Sequence, residues 1–269
     1  MHLATDYETV AGERLSLEAV RARARIARSR GIEEICVTEH THRFAAVRGL
    51  FGDPFWNDTA VTDLAAYVSV VSGAGVVDGV SVLCGIELDW LPEIQGSLAE
   101  VVSPFAFDIV LGSVHWLEGR AVDLPGGIWE HHDVATVWRR YFAALRAAAA
   151  SGAFDVMAHP DLVKIFDRRP GAAVVEQEFC ATAEAFAAAG VASEVNTAGL
   201  RKPVGELYPD ARLLELMFAA GVPLSLGSDA HVEDDVGRDF DQALRLACEA
   251  GYRTVSRFRE RERSQVPLG

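Results

Sequence analysis

Apolar positions along the chain follow two alternating rhythms. Leu17, Val20, Ala24 and Ala27 recur at helical spacing, and Gly31 follows them. Val134, Val137, Tyr141, Leu145 and Ala148 do the same, with Asp133 placed as an N-cap and Gly152 beyond. Helical patterns over 172–189, 211–220 and 240–250 stop before Gly190, Gly221 and Gly251. Glycine takes the left-handed conformation past a helix end at least cost. After each glycine the chain turns apolar and β-prone, over 32–38, 154–158, 191–195, 222–226 and 252–255. Two further runs, 80–86 and 109–114, follow less regular segments. Repeated helix–glycine–strand units with nearly continuous apolar strands predict an α/β fold with a parallel sheet. A closed barrel and an open doubly wound sheet both satisfy that pattern, and no GxGxxG or Walker motif supports the open one. Residues 43–63, with Gly49, Gly52, Pro54 and Trp56, read as a long excursion of the kind that often carries function. With no linker-like tract and no internal repeat, residues 1–269 read as a single domain.

The strands end in an unusual way. "CVTEH" closes at Glu39 and His40, "LCGIE" at Glu87, "LGSVH" at His115, "DVMAHP" at His159, "SEVN" at Asn196 and "LGSDAH" at Asp229 and His231. One strand-end histidine is ordinarily a hydrogen-bonded structural residue. Six consecutive polar ends are harder to explain structurally, because buried carboxylates and imidazoles are costly without a counter-charge. In a parallel barrel the carboxyl ends of all strands meet on one face. Divalent ions would supply the charge there; mixed nitrogen and oxygen ligands suit zinc, manganese or iron. Glu87 could bridge two ions, as in two-metal phosphoryl hydrolysis. His131 and His132, just before a helix, read as surface or cap residues, and His42 reads as facing solvent.

Charge narrows the partners. The 25 Lys and Arg against 39 Asp and Glu leave a formal charge of −14, which disfavours nucleic acid. The basic run 21–30 reads as the solvated face of a helix. No apolar stretch approaches the ~20 residues that span a bilayer, and no secretory signal is visible. Cys36, Cys84, Cys180 and Cys248 form no CxxC pair and read as buried small hydrophobes of a cytoplasmic protein. The sequence leaves the oligomeric state open.

The pattern "TEH…GIE…SVH…AHP…SDAH" resembles the motifs of the polymerase-and-histidinol-phosphatase (PHP) family across nearly the whole chain. "EVNTAGLRKPVGELYPD" (194–210) and "MAHPDLVKIF" (157–166) resemble its monofunctional histidinol-phosphatase branch. The resemblance implies a distorted seven-stranded (β/α) barrel, TIM-like, holding two or three divalent ions. It implies hydrolysis of a small phosphorylated metabolite, L-histidinol phosphate, to L-histidinol and phosphate in histidine biosynthesis. It implies that His2 and Asp229 hold the first metal, that Glu87 bridges the first and second, that His115 and His159 complete the second, and that His40 and His231 hold a third. Glu87, Asp229 and His231 are the expected catalytic residues. Arg201 would bind the substrate phosphate, with Lys164 helping.

The start departs from the family pattern. The first motif is usually His-x-His at the end of a first strand, whereas this chain begins "MHLATD". His2 matches the second histidine, and the first histidine and most of the strand are missing. Two expectations follow: a start assigned too late, with the missing motif upstream, or a barrel whose first strand is truncated. The first is preferred because a barrel lacking a strand exposes sheet edges. Asp6 and Glu8 are the remaining candidates for a ligand that often follows the motif. The alternatives are another PHP-type phosphatase or phosphodiesterase, an amidohydrolase on the same metal site, or a metal-binding protein impaired by the missing histidine.

Overall fold

The computed structural model describes residues 1–3, 15–52 and 54–268. The expected rhythm is present, with helices stopped where the glycines stand. Ser16 caps the helix Leu17–Ser29 by accepting from Ala19 N, and Asp133 caps Val134–Ala150 by accepting from Thr136 N at 3.0 Å. Ala172–Ala189 and Phe240–Ala250 end on left-handed Gly190 and Gly251. The helix at 211 closes one residue before its expected end, as Ala211–Ala219.

Four strands end later than the apolar runs suggest, Glu34–His40, Val80–Asp89, Ala192–Asn196 and Leu224–Gly227, and two end one residue earlier, Ile109–Ser113 and Val156–Met157. The shift has a consequence. Glu39, His40, Glu87 and Asn196 are the last or nearly last residues of ordered strands, held by ladder hydrogen bonds rather than by loops. The run expected at 252–255 is realised as Thr254–Arg259. Two helices, Leu64–Ser72 and Gln95–Val102, lie in segments whose pattern is less regular.

The chain divides into two compact units. The first gathers residues 1–110, 228–238 and 258–262. In it Glu34–His40 pairs in parallel with Val80–Asp89, in a register that sets Glu39 opposite Ile86 and His40 opposite Glu87. Val20, Ala24 and Ala27 of the first helix are completely buried, as are Val37, Val80 and Ile86 of these strands. Gly85 is required by close approach: a Cβ there would lie 2.6 Å from Ile109 and 2.8 Å from the Cys36 sulfur. Residues 1–3 belong to no assigned strand, yet their main chain is bonded on both sides. Thr38 N donates to Met1 O at 2.8 Å, and His2 N donates to Ala230 O at 2.9 Å. Asp6 and Glu8 lie outside the described residues.

The second unit gathers residues 111–227, 239–257 and 263–269. There Val156–Met157 pairs in parallel with Ala192–Asn196, which pairs in parallel with Leu224–Gly227. Two long helices face each other through aromatic side chains: Phe142 meets Phe179 edge-on at 5.7 Å. Val195, Leu214, Leu224, Ala243, Ala247 and Tyr252 form a second apolar cluster.

Three readings of the sequence need correction. His42 does not face solvent; its ring packs against Trp56, with centroids 4.1 Å apart, and only 6% of the residue is exposed. Among the cysteines only Cys84 is fully buried, and Cys248 is exposed. The basic helix is not simply a solvated face. Arg23 is buried and donates to Leu3 O at 3.2 Å, while Arg30 donates to Val236 O and Asp234 O. Among the described residues no helix is long and apolar enough to cross a membrane.

Replacing Phe142, which has no exposed surface, by alanine should destabilise the protein by roughly 3–5 kcal/mol through lost burial and the cavity left behind. Urea unfolding followed by circular dichroism checks this; a loss below about 1 kcal/mol would mean that the two helices repack freely.

Candidate metal centre

The polar strand ends of the first unit close on His2. Its Nε2 lies 3.0 Å from Asp229 Oδ1 and 3.3 Å from Glu87 Oε2. On the other side of the ring, Nδ1 faces Glu39 Oε1 at 3.6 Å. The His40 ring stacks on His2 at 4.1 Å, and the His231 ring lies 4.3 Å from His2. His40 Nε2 and His231 Nε2 are 3.3 Å apart, and His40 Nδ1 is 3.6 Å from Glu87 Oε2. Two overlapping groups, His2–His40–His231 and His2–Glu87–Asp229, each offer three donor atoms within 4.8 Å of one another.

Local structure explains how residues so far apart in sequence arrive together. Parallel register puts His40 beside Glu87, and Thr41 Oγ1 donates to Glu87 O at 2.6 Å, closing the two strand ends. Tyr67 Oη lies within hydrogen-bond reach of both Val37 O and Gly85 O and accepts from Glu39 N, so the pair is also pinned from one side. Glu39 accepts from Leu3 N at 2.9 Å, and Arg23 holds Leu3 O. Together they fix the main chain at Leu3, directly after His2. Asp229 takes a left-handed backbone, φ 47°, which is uncommon for a non-glycine residue and turns the chain sharply between Asp229 and His231. His231 Nδ1 then faces Asp229 O at 3.1 Å, leaving Nε2 for His40.

The electrostatics are those of a cation site. Burial opposes charge on His2, but hydrogen bonds with Asp229, Glu39 and Glu87 outweigh it and hold the imidazolium well above its ordinary range. Burial also opposes charge on Asp229 and Glu39, yet contact with His2 and the neighbouring imidazoles carries both well below the usual carboxylate range. His40 goes the other way: burial and the His2 charge keep it neutral. His2 thus lies among carboxylates that favour its charged form, and it in turn favours the ionised forms of Asp229 and Glu39. The donor set therefore fits a divalent cation: neutral imidazole, ionised carboxylates, and a displaceable proton.

The second unit places the remaining expected residues. His115 and His159 bring their rings to 5.0 Å. His159 is buried at φ 27°, and its main-chain nitrogen donates to Glu194 Oε2 at 3.1 Å. Glu194 also accepts from Asn196 Nδ2, so one carboxylate ties the His159 main chain to the Asn196 side chain. Arg201 closes the turn Thr197–Arg201, where Nη1 reaches Thr197 O at 3.3 Å. Lys164, expected to help bind the substrate phosphate, is enclosed by acceptors of the protein itself. It has no exposed surface, and its ammonium is committed to Leu207 O at 2.8 Å, Asp161 Oδ2 at 3.0 Å and Glu206 Oε2 at 3.3 Å. His131 is exposed and His132 pairs with Glu118 on the surface, as the sequence suggests.

Two positioning residues, Arg23 and Glu194, escaped the sequence reading, and Glu39 was read only as a strand end without a role. Glu39 and Glu194 had a signal, since each sits beside a strand-end ligand candidate. Arg23 had none, because a buried arginine in a basic helix looks like its exposed neighbours.

Known proteins place this arrangement. The chain is 32% identical over 253 residues to a probable histidinol-phosphatase of Deinococcus radiodurans, covering 90% of this chain and 91% of that one. It is 26% identical over 256 residues to the histidinol-phosphatase of Bacillus subtilis, covering 85% and 93%. The crystal structure of a histidinol phosphate phosphatase from Lactococcus lactis, complexed with zinc, L-histidinol and phosphate, superposes with a TM-score of 0.74 at 21% identity over 98% of this chain and 97% of that one. That likeness carries the fold, a mixed α/β distorted barrel of the PHP type. The family model described as the PHP domain matches residues 1–198, and with the fold and the relatives it establishes that this chain belongs to the PHP family.

Proposed function

We propose that this chain is a metal-dependent phosphatase that hydrolyses L-histidinol phosphate to L-histidinol and phosphate, a step of histidine biosynthesis. The carrying observation is the gathering of Glu87, Asp229, His2, His40 and His231 around shared donor positions within the first unit. The similarity to histidinol-phosphatases over nine-tenths of the chain supports the choice of substrate.

In this reading His2, Glu87 and Asp229 hold one cation, and His40 and His231 a neighbouring one, with Glu87 close to both. His115 and His159 are assigned as further ligands, and zinc, manganese or iron fit the donors. Bound there, divalent ions would lower the pKa of a water and neutralise charge on the phosphoryl oxygens. The protein's own contribution is positional. Glu39 faces His2 Nδ1, so that Nε2 is the nitrogen presented to Glu87 and Asp229. Ladder-held strand ends keep Glu87 and His40 in place, so little reorganisation accompanies binding. Arg201 is the guanidinium assigned to the substrate phosphate, for which its fixed fork of donors is suited.

Zinc or manganese content and phosphate release from L-histidinol phosphate should both be present in the purified chain, and Glu87→Gln should abolish release and lower metal content. Retention of both would rule out a shared-ligand role for Glu87, and faster turnover of other phosphomonoesters would reassign the substrate. Glu39→Gln should weaken metal binding by about 10- to 100-fold, measured by competition with a chelating dye. Metal affinity should also rise with pH. His2 retains its proton well above the ordinary imidazole range, the ion must displace that proton, and fewer protons compete as pH increases. Calorimetric titrations at about pH 6 and about pH 8 test the sign; equal affinities would mean that His2 is already neutral.

A further inference from the structure

We propose that Lys164 is a positioning residue: its buried ammonium clamps the 197–210 loop and so fixes the Arg201 guanidinium, rather than touching phosphate itself. The inference rests on the reading of Arg201 as the phosphate ligand.

Lys164 lies in the turn Leu162–Lys164, three residues beyond the buried His159. All three of its N–H donors have an acceptor within 3.3 Å, and two of those acceptors, Leu207 O and Glu206 Oε2, belong to the loop. The third, Asp161 Oδ2, also accepts from Asp210 N at 2.7 Å. Lysine and aspartate thus grip the same loop segment from one turn, and neither has exposed surface. A second main-chain bond, Val204 N to Ile165 O at 3.0 Å, ties the loop to the same turn. From the half-buried side, Arg169 binds Glu206 at 2.5 Å and Asp210 at 3.1 Å.

The clamp is transmitted to Arg201 by close packing. The loop doubles back so that residues 206–208 lie against the turn Thr197–Arg201. A Cβ on Gly199 would meet Glu206 O at 2.1 Å and the Tyr208 ring at 3.0 Å. Tyr208 and Asn196 also exchange main-chain bonds, at 2.6 and 3.0 Å. With no gap between the two limbs, whatever holds Glu206–Asp210 also holds the turn ending at Arg201. A buried lysine–aspartate pair is a costly way to gain stability, but it fixes geometry. Taking Lys164 to a phosphate would strip Asp161 of its cationic partner in the interior.

The test is a double-mutant cycle with Asp161→Asn and Arg201→Ala, read as the inhibition constant of inorganic phosphate and as kcat and KM for L-histidinol phosphate. Asp161→Asn should weaken phosphate binding and raise KM by about tenfold, and should add less than about twofold in the Arg201→Ala background. Amide hydrogen exchange should speed up over 197–210 in Asp161→Asn, a readout that requires no activity. If Lys164 were itself a phosphate ligand, freeing it from Asp161 would leave phosphate binding unchanged or tighter, and that result overturns the proposal. So do additive effects in the cycle, or unchanged exchange in the loop. Glu206→Gln alters a half-exposed member of the same network and should move each quantity in the same direction if Asp161→Asn does not fold. A wild-type chain that binds phosphate but does not turn over L-histidinol phosphate would refute the substrate assignment while the phosphate and exchange measurements still decide the clamp.

Discussion

Three carboxylates and three imidazoles share a few ångströms of buried space in the first unit, and the arrangement depends on how that charge is balanced. His2 lies between Asp229 and Glu87 on one side and Glu39 on the other, and hydrogen bonds with these acids favour its charged form. Carboxylates in low dielectric repel one another and lose their hydration, so such a cluster persists only when a positive charge sits among them. A proton on His2 can serve, and so can a divalent ion. The neighbours share out that balance: contact with His2 carries Asp229 and Glu39 below the usual carboxylate range, while burial and the His2 charge lower His40.

Much of the surrounding structure keeps these groups from moving apart. Thr41 and Tyr67 join the ends of the two strands, and Arg23 and Glu39 hold the main chain at Leu3. Asp229 and His159 sit at positive φ, which has an energetic cost and is retained where neighbours over-determine the backbone. Glu194 supplies part of that constraint at His159 by accepting from its main-chain nitrogen. The second unit uses charge differently. Its buried Lys164–Asp161 pair serves geometry, linking the turn after His159 to the loop that carries Arg201.

The alternation of helix and strand was legible because glycine at helix ends and continuous apolar strands are local signals. So was the candidate site: Glu87, His40, Asp229 and His231 each end an apolar run, and strand direction alone implies that such ends are neighbours. The surroundings of His42 and Lys164 were not legible for a common reason. A polar side chain two or more residues past a strand end can point to solvent or fold back, and the local pattern is the same for both. His42 packs against Trp56 from the long excursion, and Lys164 finds acceptors 42 and 43 residues away at Glu206 and Leu207. Neither partner is visible in a window around the residue.

The amino-acid order by itself determined which positions are apolar, where helices stop, and which strands end in metal-binding chemistry, because those follow from periodicity and backbone preference over a few residues. Tertiary structure decided which nitrogen of His2 faces which acid, that Arg23 and Glu39 brace Leu3, and that Lys164 is buried. Those outcomes depend on distances between segments far apart along the chain, and burial then sets the protonation and hydrogen-bond partners that give each group its role.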